Sequence, residues 1–262
     1  MGLRIQNNVE AFNAHRQLTG TASKAAKAME KLASGYRVNR AADDAAGLAI
    51  SEKMRAQIGG LAQAQRNAQD GVSLVQTAEG ALNEVHSMLG RIRDLKVQYD
   101  NGTLSSEDKT AIENEVTALK AEITAIGSDT KFNGKQLLDG DAFSFVVGAE
   151  GETVSTTAVT LSSDVGTIEI SASNGLSAID AAIGKVSESR AKLGAVQNRL
   201  EHRLTNLATY QENLVASESR IRDVDMASEM VNFTKLGILQ QAGTSMLAQA
   251  NQAPQGVLSL LR

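Results

Sequence analysis

A net charge of −4 over 262 residues, with 21% of them charged and both signs interspersed, makes an ordinary aqueous surface and gives no basic stripe for nucleic acid. The absence of cysteine excludes a disulfide scaffold and a thiolate metal site, and no apolar run approaches the ~18–20 residues of a membrane span. One proline, no tryptophan and 3% aromatics leave a core of Ala, Leu, Ile and Val, which packs closely over a long contact only as uninterrupted helices.

The first residues, MGLRIQNNVEAFNAHRQL, lack the apolar stretch of a cleavable signal peptide, so export of this chain needs a route that does not read one. Residues 1–40 read as a helical arm. Ile5, Val9 and Phe12 are spaced by four and three, and Met29 and Leu32 resume the stripe after an Ala, Ser and Thr run with little to bury. So thin a stripe leaves a helix marginal alone in water. The arm is basic, and two readings stand: a solvated face, or an arm that folds against partners.

Gly35 is a helix stop, and Asp43 or Asp44 is an N-cap for the next helix. No histidine or further carboxylate lies near this acidic pair, so capping outweighs acid–base chemistry. Over 45–99 the apolar positions Leu74, Ala78, Ala81, Val85, Met88, Ile92, Leu95 and Tyr99 alternate by four and three, a heptad seam widened by Val75, Leu82 and Leu89. Gly59, Gly60, Gly71, Gly80 and Gly90 each weaken this helix, which implies close helix contacts or local bends. Asp100 to Thr103 is a turn, Ser105 with Asp108 resembles a capping box, and Ile112, Val116, Leu119, Ile123 and Ile126 carry the next helix back antiparallel.

From Gly127 the period shortens. Phe143, Phe145 and Val147 alternate, as do Val159 with Leu161 and Ile168 with Ile170, predicting a small β region of hairpins over 130–173. A second long helix follows Asn174-Gly175, with Ile179, Val186, Leu193, Leu200, Leu207, Leu214 and Ile221 at every seventh position. It packs with 45–99 and 105–127 as a three-helix bundle, which brings the two terminal arms together. The last arm, 223–262, is apolar on more than one side through Met226, Met230, Phe233, Leu236, Leu239, Met246, Leu247, Leu258 and Leu261. Alone it exposes more apolar surface than a monomer tolerates, and its methionines suit adaptable contacts, so it reads as an association element.

The fold class is therefore mainly α: a long antiparallel helical bundle or coiled-coil rod, with a small β-hairpin region and paired N- and C-terminal helical arms. His15, His86 and His202 lie in separate helical patterns without ligand spacing, and no nucleophile, phosphate-loop or zinc motif is present. No enzyme and no cofactor is expected. A rod with unlike ends makes head-to-tail contacts that give open helices when the rotation does not close.

The segment Ser34-Gly35-Tyr36-Arg37-Val38-Asn39, then Asp43-Asp44-Ala45-Ala46-Gly47-Leu48-Ala49-Ile50, Asp70-Gly71 and Gln76-Thr77-Ala78-Glu79-Gly80-Ala81-Leu82 closely resemble the amino-terminal region of bacterial flagellins. The carboxy-terminal region resembles theirs in Leu193-Gly194-Ala195-Val196-Gln197-Asn198-Arg199-Leu200, in Ser217 to Ala227 and in Ala248-Gln249-Ala250-Asn251-Gln252, and Lys131-Phe132-Asn133-Gly134 also fits.

The resemblance implies a self-assembling subunit of the extracellular flagellar filament, secreted through the flagellar type III channel. It implies an inner-tube coiled-coil domain from 1–43 with 223–262, and a rod domain from 44–129 with 174–222. The 130–173 region stands where a larger variable outer domain is usual, so a thin, smooth filament is expected. Arm packing between subunits falls to Ile5, Val9, Phe12, Met230, Phe233, Leu239, Met246, Leu258 and Leu261. Partners implied are the flagellar cap and hook-junction proteins, an export chaperone at the C-terminal arm, and an innate immune receptor meeting Arg91, Leu95 and Glu115. The alternative for Arg91 and Glu115 is a role as surface charges in subunit contacts. Ser155, Thr156, Thr157, Ser162 and Ser163 are the implied O-glycan positions, with unmodified turn residues as the alternative. No nucleic acid and no membrane insertion are expected. Two other readings remain at this point: the hook–filament junction protein, and a helical signalling or binding module.

Overall fold

The computed structural model describes residues 8–161 and 176–260, with side chains described as far as residue 252. Five helices and four short strands are seen among them: α1 (Val9–Ser34), α2 (Ala45–Tyr99), α3 (Ser106–Asp129), β1 (Lys131–Phe132), β2 (Lys135–Gln136), β3 (Ser144–Val146), β4 (Thr153–Ser155), α4 (Leu176–Arg222) and α5 (Met226–Leu260). The chain divides into two compact units, Met1–Ala56 with Leu214–Arg262, and Gln57–Asn213. The helices α2 and α4 contribute a stretch to each.

The helix boundaries follow from their caps. Asn8 Oδ1 accepts from the Ala11 amide at 3.0 Å and opens α1. Gly35, at φ 75°, closes it in the left-handed conformation, its N–H returned to the Lys31 carbonyl. The two aspartates then divide the labour of starting α2. Asp44 Oδ1 accepts from the Gly47 amide at 2.8 Å, while Asp43 Oδ2 accepts from the amides of Asn39 and Arg40 and braces the preceding turn. The Arg40 amide is the main reason the Asp43 carboxyl sits below its ordinary range. Ser105 and Asp108 form the expected capping box at the head of α3. Asp225 Oδ1 accepts from the amides of Ala227 and Ser228 and starts α5.

In the larger unit the three helices share one core. Leu74, Val75, Ala78, Leu82, Val85, Leu89, Ile92 and Leu95 of α2 meet Ile112, Val116 and Ile123 of α3 and Ile179, Val186, Leu193 and Leu200 of α4, all buried. The heptad rows read from the sequence are the ones turned inward, because a period of 3.5 keeps one face toward its neighbours. The β region is two antiparallel hairpins. Asn133 and Gly134 take positive φ between β1 and β2, the geometry of the two-residue hairpin turn. In the second hairpin Phe145 pairs with Val154. Val147 and Val154 are buried with the helical core, whereas Val146 points out. Val159 and Leu161 are buried, and among the described residues Thr160 between them bridges to Asp139. Ile168 and Ile170 lie outside the described residues.

The glycines of α2 have separate explanations. A Cβ on Gly71 would stand 3.1 Å from both the Phe145 ring and Leu200 Cδ1, and one on Gly60 would stand 3.1 Å from the Ala149 methyl. At these two positions the hairpin region lies directly on the helix backbone. Gly59, Gly80 and Gly90 have open space where a Cβ would be. Gly71→Val is therefore expected to cost about 1–3 kcal/mol through overpacking, while Gly80→Ala stabilises by up to about 1 kcal/mol through helix propensity. Urea denaturation of the two variants, followed by circular dichroism, checks the opposite signs.

Candidate self-assembly surface

In the smaller unit α1 and α5 run antiparallel along each other. The Asn8 amide donates to the Ala250 carbonyl at 2.7 Å, Leu18 rests against Gly243, and the Val224 amide donates to the Gly35 carbonyl at 3.0 Å. The Ala250 carbonyl is available because Pro254, four residues on, has no N–H to give it. Asn8 thus caps one helix and satisfies a carbonyl that a proline frees in the other, which fixes their register.

The seam between them joins a row of mostly small side chains on α1 to a mixed row on α5. On α1 a row of positions withdrawn from solvent runs through Ala11, Ala14, Leu18, Thr21, Ala25, Ala28 and Leu32, alternating by three and four. On α5 they are Glu229, Phe233, Leu236, Gly243, Leu247 and Ala250. This reverses one reading of the sequence. The Ala, Ser and Thr run of α1, expected to bury little, is the seam, and of the larger residues read as the stripe Val9, Phe12 and Met29 face outward. The small side chains of α1 let the two backbones approach, and several large ones are left outside the seam.

What they leave is a surface unlike that of a self-sufficient monomer. Ala28, Val38 and Leu236 are the buried apolar side chains among the described residues of this unit. Phe12 of α1 is 71% exposed, and on α5 Val231, Ile238 and Met246 are 71%, 65% and 63% exposed. Met226, Met230 and Leu239 are exposed as well. Val231 and Ile238 are seven residues apart and lie opposite the seam, so α5 is apolar on the side that α1 does not cover. Exposed apolar surface of this extent marks an interaction site, and a helix apolar on several sides packs against neighbours on several sides.

The positions singled out in the sequence fall as follows. Val9, Phe12, Met230, Leu239 and Met246 are exposed, and Phe233 is half-buried in the α1–α5 seam. Ile5 and Leu261, and the side chain of Leu258, lie outside the described residues. Val231 and Ile238 were not singled out, although their seven-residue spacing is a signal in plain view.

Two turns close the unit where α1 gives way to α2 and α4 to α5. Tyr36 lies between two guanidinium groups, Arg222 at 4.8 Å and Arg55 at 5.3 Å from its ring centre. Arg55 donates to the Tyr36 hydroxyl at 3.0 Å and to Glu218 at 2.9 Å, and Arg222 donates to Glu52 at 2.6 Å. The Tyr36 hydrogen bond, then that of Glu218, holds the Arg55 guanidinium above its ordinary pKa. The Arg37 amide donates to the Arg222 carbonyl, and its side chain to the Ile221 carbonyl, each at 2.6 Å.

In the larger unit Arg91 of α2 donates to Glu115 of α3 at 2.9 Å, and Leu95 is buried in the core beneath. Of the hydroxyl positions, Ser155 and Thr157 are exposed. Thr156 is buried, its hydroxyl accepting from the Phe143 amide and donating to the Phe143 carbonyl, so a glycan there requires the hairpin to open. Ser162 and Ser163 lie outside the described residues. Among the described residues no group of histidines and carboxylates could hold a metal ion, and no helix is long and apolar enough to cross a membrane.

Two family models match this chain: the bacterial flagellin N-terminal helical region over residues 5–142, and the C-terminal helical region over residues 176–261. A flagellin of Halalkalibacterium halodurans is 53% identical over 270 aligned positions, covering 98% of this chain and 99% of its own length. A flagellin of Bacillus subtilis is 47% identical, covering 99% and 100%, and a flagellar filament core protein of Treponema phagedenis is 47% identical, covering 98% and 99%. Among solved structures, Bacillus cereus flagellin superposes with a TM-score of 0.51 at 35% identity, over 54% of this chain and 88% of that one.

Proposed function

Because the chain belongs to the bacterial flagellin family, we propose that it adds head to tail to copies of itself as the structural subunit of the helical flagellar filament used in swimming. The family is structural, and the chain is a subunit and not an enzyme. The observation that carries the reading is the apolar outer side of α5, with Val231, Ile238 and Met246 in solvent. A neighbouring subunit covers it in the polymer. The hook–filament junction protein and the helical signalling module are not favoured, since flagellin relatives align over nearly the whole chain.

The finer parts of the proposal rest on narrower support. The terminal arms, 1–43 and 223–262, form the inner tube, which suits their small-residue seam and apolar outer sides. The bundle of 44–222 lies outside it. An export chaperone holds the C-terminal arm before assembly, since so exposed an apolar helix needs cover in the cell. Cap and hook-junction proteins meet the subunit at the filament ends. An innate immune receptor meets the outer edge of the Arg91–Glu115 pair, and Leu95 serves it only as packing from below. Ser155 and Thr157 carry the O-glycans, a reading supported by their exposure.

Electron microscopy after addition of short filament seeds tests the central claim. Full-length protein is expected to elongate seeds, and a variant lacking residues 223–262 is expected not to. If full-length protein stays monomeric on seeds under every precipitant tried, the filament reading is wrong.

A further inference from the structure

The turn between α2 and α3 carries Asn101-Gly102, exposed at both residues. We propose that Asn101 is a site of spontaneous, self-catalysed deamidation that adds a negative charge to this turn. In the reaction the Gly102 amide nitrogen attacks Asn101 Cγ. A carbon–nitrogen bond forms, the side-chain Cγ–N bond breaks, and ammonia leaves with the proton from the Gly102 nitrogen. Water then opens the cyclic imide at either carbonyl, giving aspartate or isoaspartate.

The geometry favours this pair over the other Asn-Gly pair that the structure describes. Gly102 has no side chain to obstruct the attack, and its N–H makes no hydrogen bond to the described residues. The Thr103 amide donates to Asn101 Oδ1 at 3.4 Å, drawing electrons from the carbon under attack. Asn133-Gly134 has the same local chemistry but the opposite setting. Its two residues hold φ of 49° and 81° in a hairpin turn pinned by the Lys131–Gln136 and Phe132–Lys135 pairs. Closing an imide there requires the hairpin to open. The third pair, Asn174-Gly175, lies outside the described residues.

The product would sit in a charged setting. Lys96 is buried at the end of α2 with its ammonium 2.5 Å from Asp100, and it lies over the Tyr99 ring, whose hydroxyl donates to Glu113. Deamidation places a second carboxylate beside the one that neutralises Lys96. Isoaspartate also adds a carbon to the backbone between Asn101 Cα and the Gly102 nitrogen, directly after two residues that bond back to α2, since the amides of Asp100 and Asn101 donate to the Lys96 and Gln98 carbonyls.

Incubation of the folded full-length chain at mildly alkaline pH, followed by peptide mass spectrometry with isoaspartate-specific methyl labelling, tests the proposal. Asn101 is expected to convert at least about tenfold faster than Asn133, the ratio that about 1.4 kcal/mol of barrier sets. In urea the two are expected to convert at similar rates, because the hairpin is gone. Gly102→Ala is expected to slow conversion at Asn101 without changing Asn133. It should fold, since a Cβ there meets open space and Gly102 does not hold a positive φ. Equal rates at Asn101 and Asn133 in the folded chain would overturn the proposal, as would conversion of Asn101 only after unfolding.

Discussion

A Val231→Asp/Ile238→Asp double variant is expected to fold as the parent monomer does and to fail to elongate filament seeds. Both side chains lie in solvent on the side of α5 away from α1. Their replacement leaves the seam of Phe233, Leu236 and Gly243 intact, and exposed changes of this kind move stability by about 0.5 kcal/mol or less. On the proposed reading the same positions are covered by another subunit in the polymer. An unpaired carboxylate placed in an apolar contact then costs at least about 1.5 kcal/mol at each site, or about 3 kcal/mol for the pair. Since about 1.4 kcal/mol is tenfold in an equilibrium constant, the critical concentration for elongation should rise by at least about a hundredfold. Val231→Ala/Ile238→Ala removes apolar area without adding charge and should fall between the two. Sedimentation of seeded reactions gives the critical concentration, and circular dichroism of the unseeded chain gives the monomer fold. Elongation of the Asp variant at the parent concentration would mean that these residues stay in solvent in the filament, and that assembly is driven by another surface.

That surface was only half legible in the sequence, for a physical reason. Hydropathy reads large apolar side chains, and in α2, α3 and α4 those side chains do form the core: Leu82, Leu89, Ile123, Leu193 and Leu200 fell on their predicted faces. Local chemistry was equally plain. Gly35, Asp44 and the Ser105–Asp108 box each act through bonds to neighbours within four residues, which spacing alone reveals. In the arms the rule inverts. The chain's own contact uses Ala and Gly beside Leu and Phe, and the small residues carry little hydropathy signal, while Phe12, Val231, Ile238 and Met246 are left exposed. A reading that ranks residues by hydrophobicity finds Phe12 and Met246 and misses Ala14 and Gly243. The role of Gly71 was hidden in another way, because its partners Phe145 and Leu200 come from distant parts of the chain. Tyr36 stood within a segment recognised by resemblance, yet nothing nearby announces its partners, Arg55 and Arg222.

Those partners make Tyr36 the position where one substitution should loosen the arms as a pair. Tyr36→Phe keeps the ring between the guanidinium groups and removes one acceptor from Arg55, at a cost of about 1 kcal/mol. Tyr36→Ala removes the ring as well. Arg222 Nε is buried without a hydrogen-bond partner, and the Tyr36 ring is the face its guanidinium lies on. Without the ring, two cation–π contacts are lost and that donor is left with nothing, so the total cost should reach about 2–4 kcal/mol. The loss should be local, because the two turns that Tyr36 joins hold α1 and α5 to their neighbours: Gly35 to Val224, and Arg37 to Ile221 and Arg222. Hydrogen exchange is the suitable measurement, since it resolves one unit from the other where a single unfolding midpoint does not. Amides of α1 and α5 are expected to lose protection in the Ala variant, and those around Leu82 and Leu200 are expected to keep theirs. Equal protection of α1 and α5 in the Phe and Ala variants would show that the ring contributes nothing, and that the backbone bonds between the turns suffice to pair the arms.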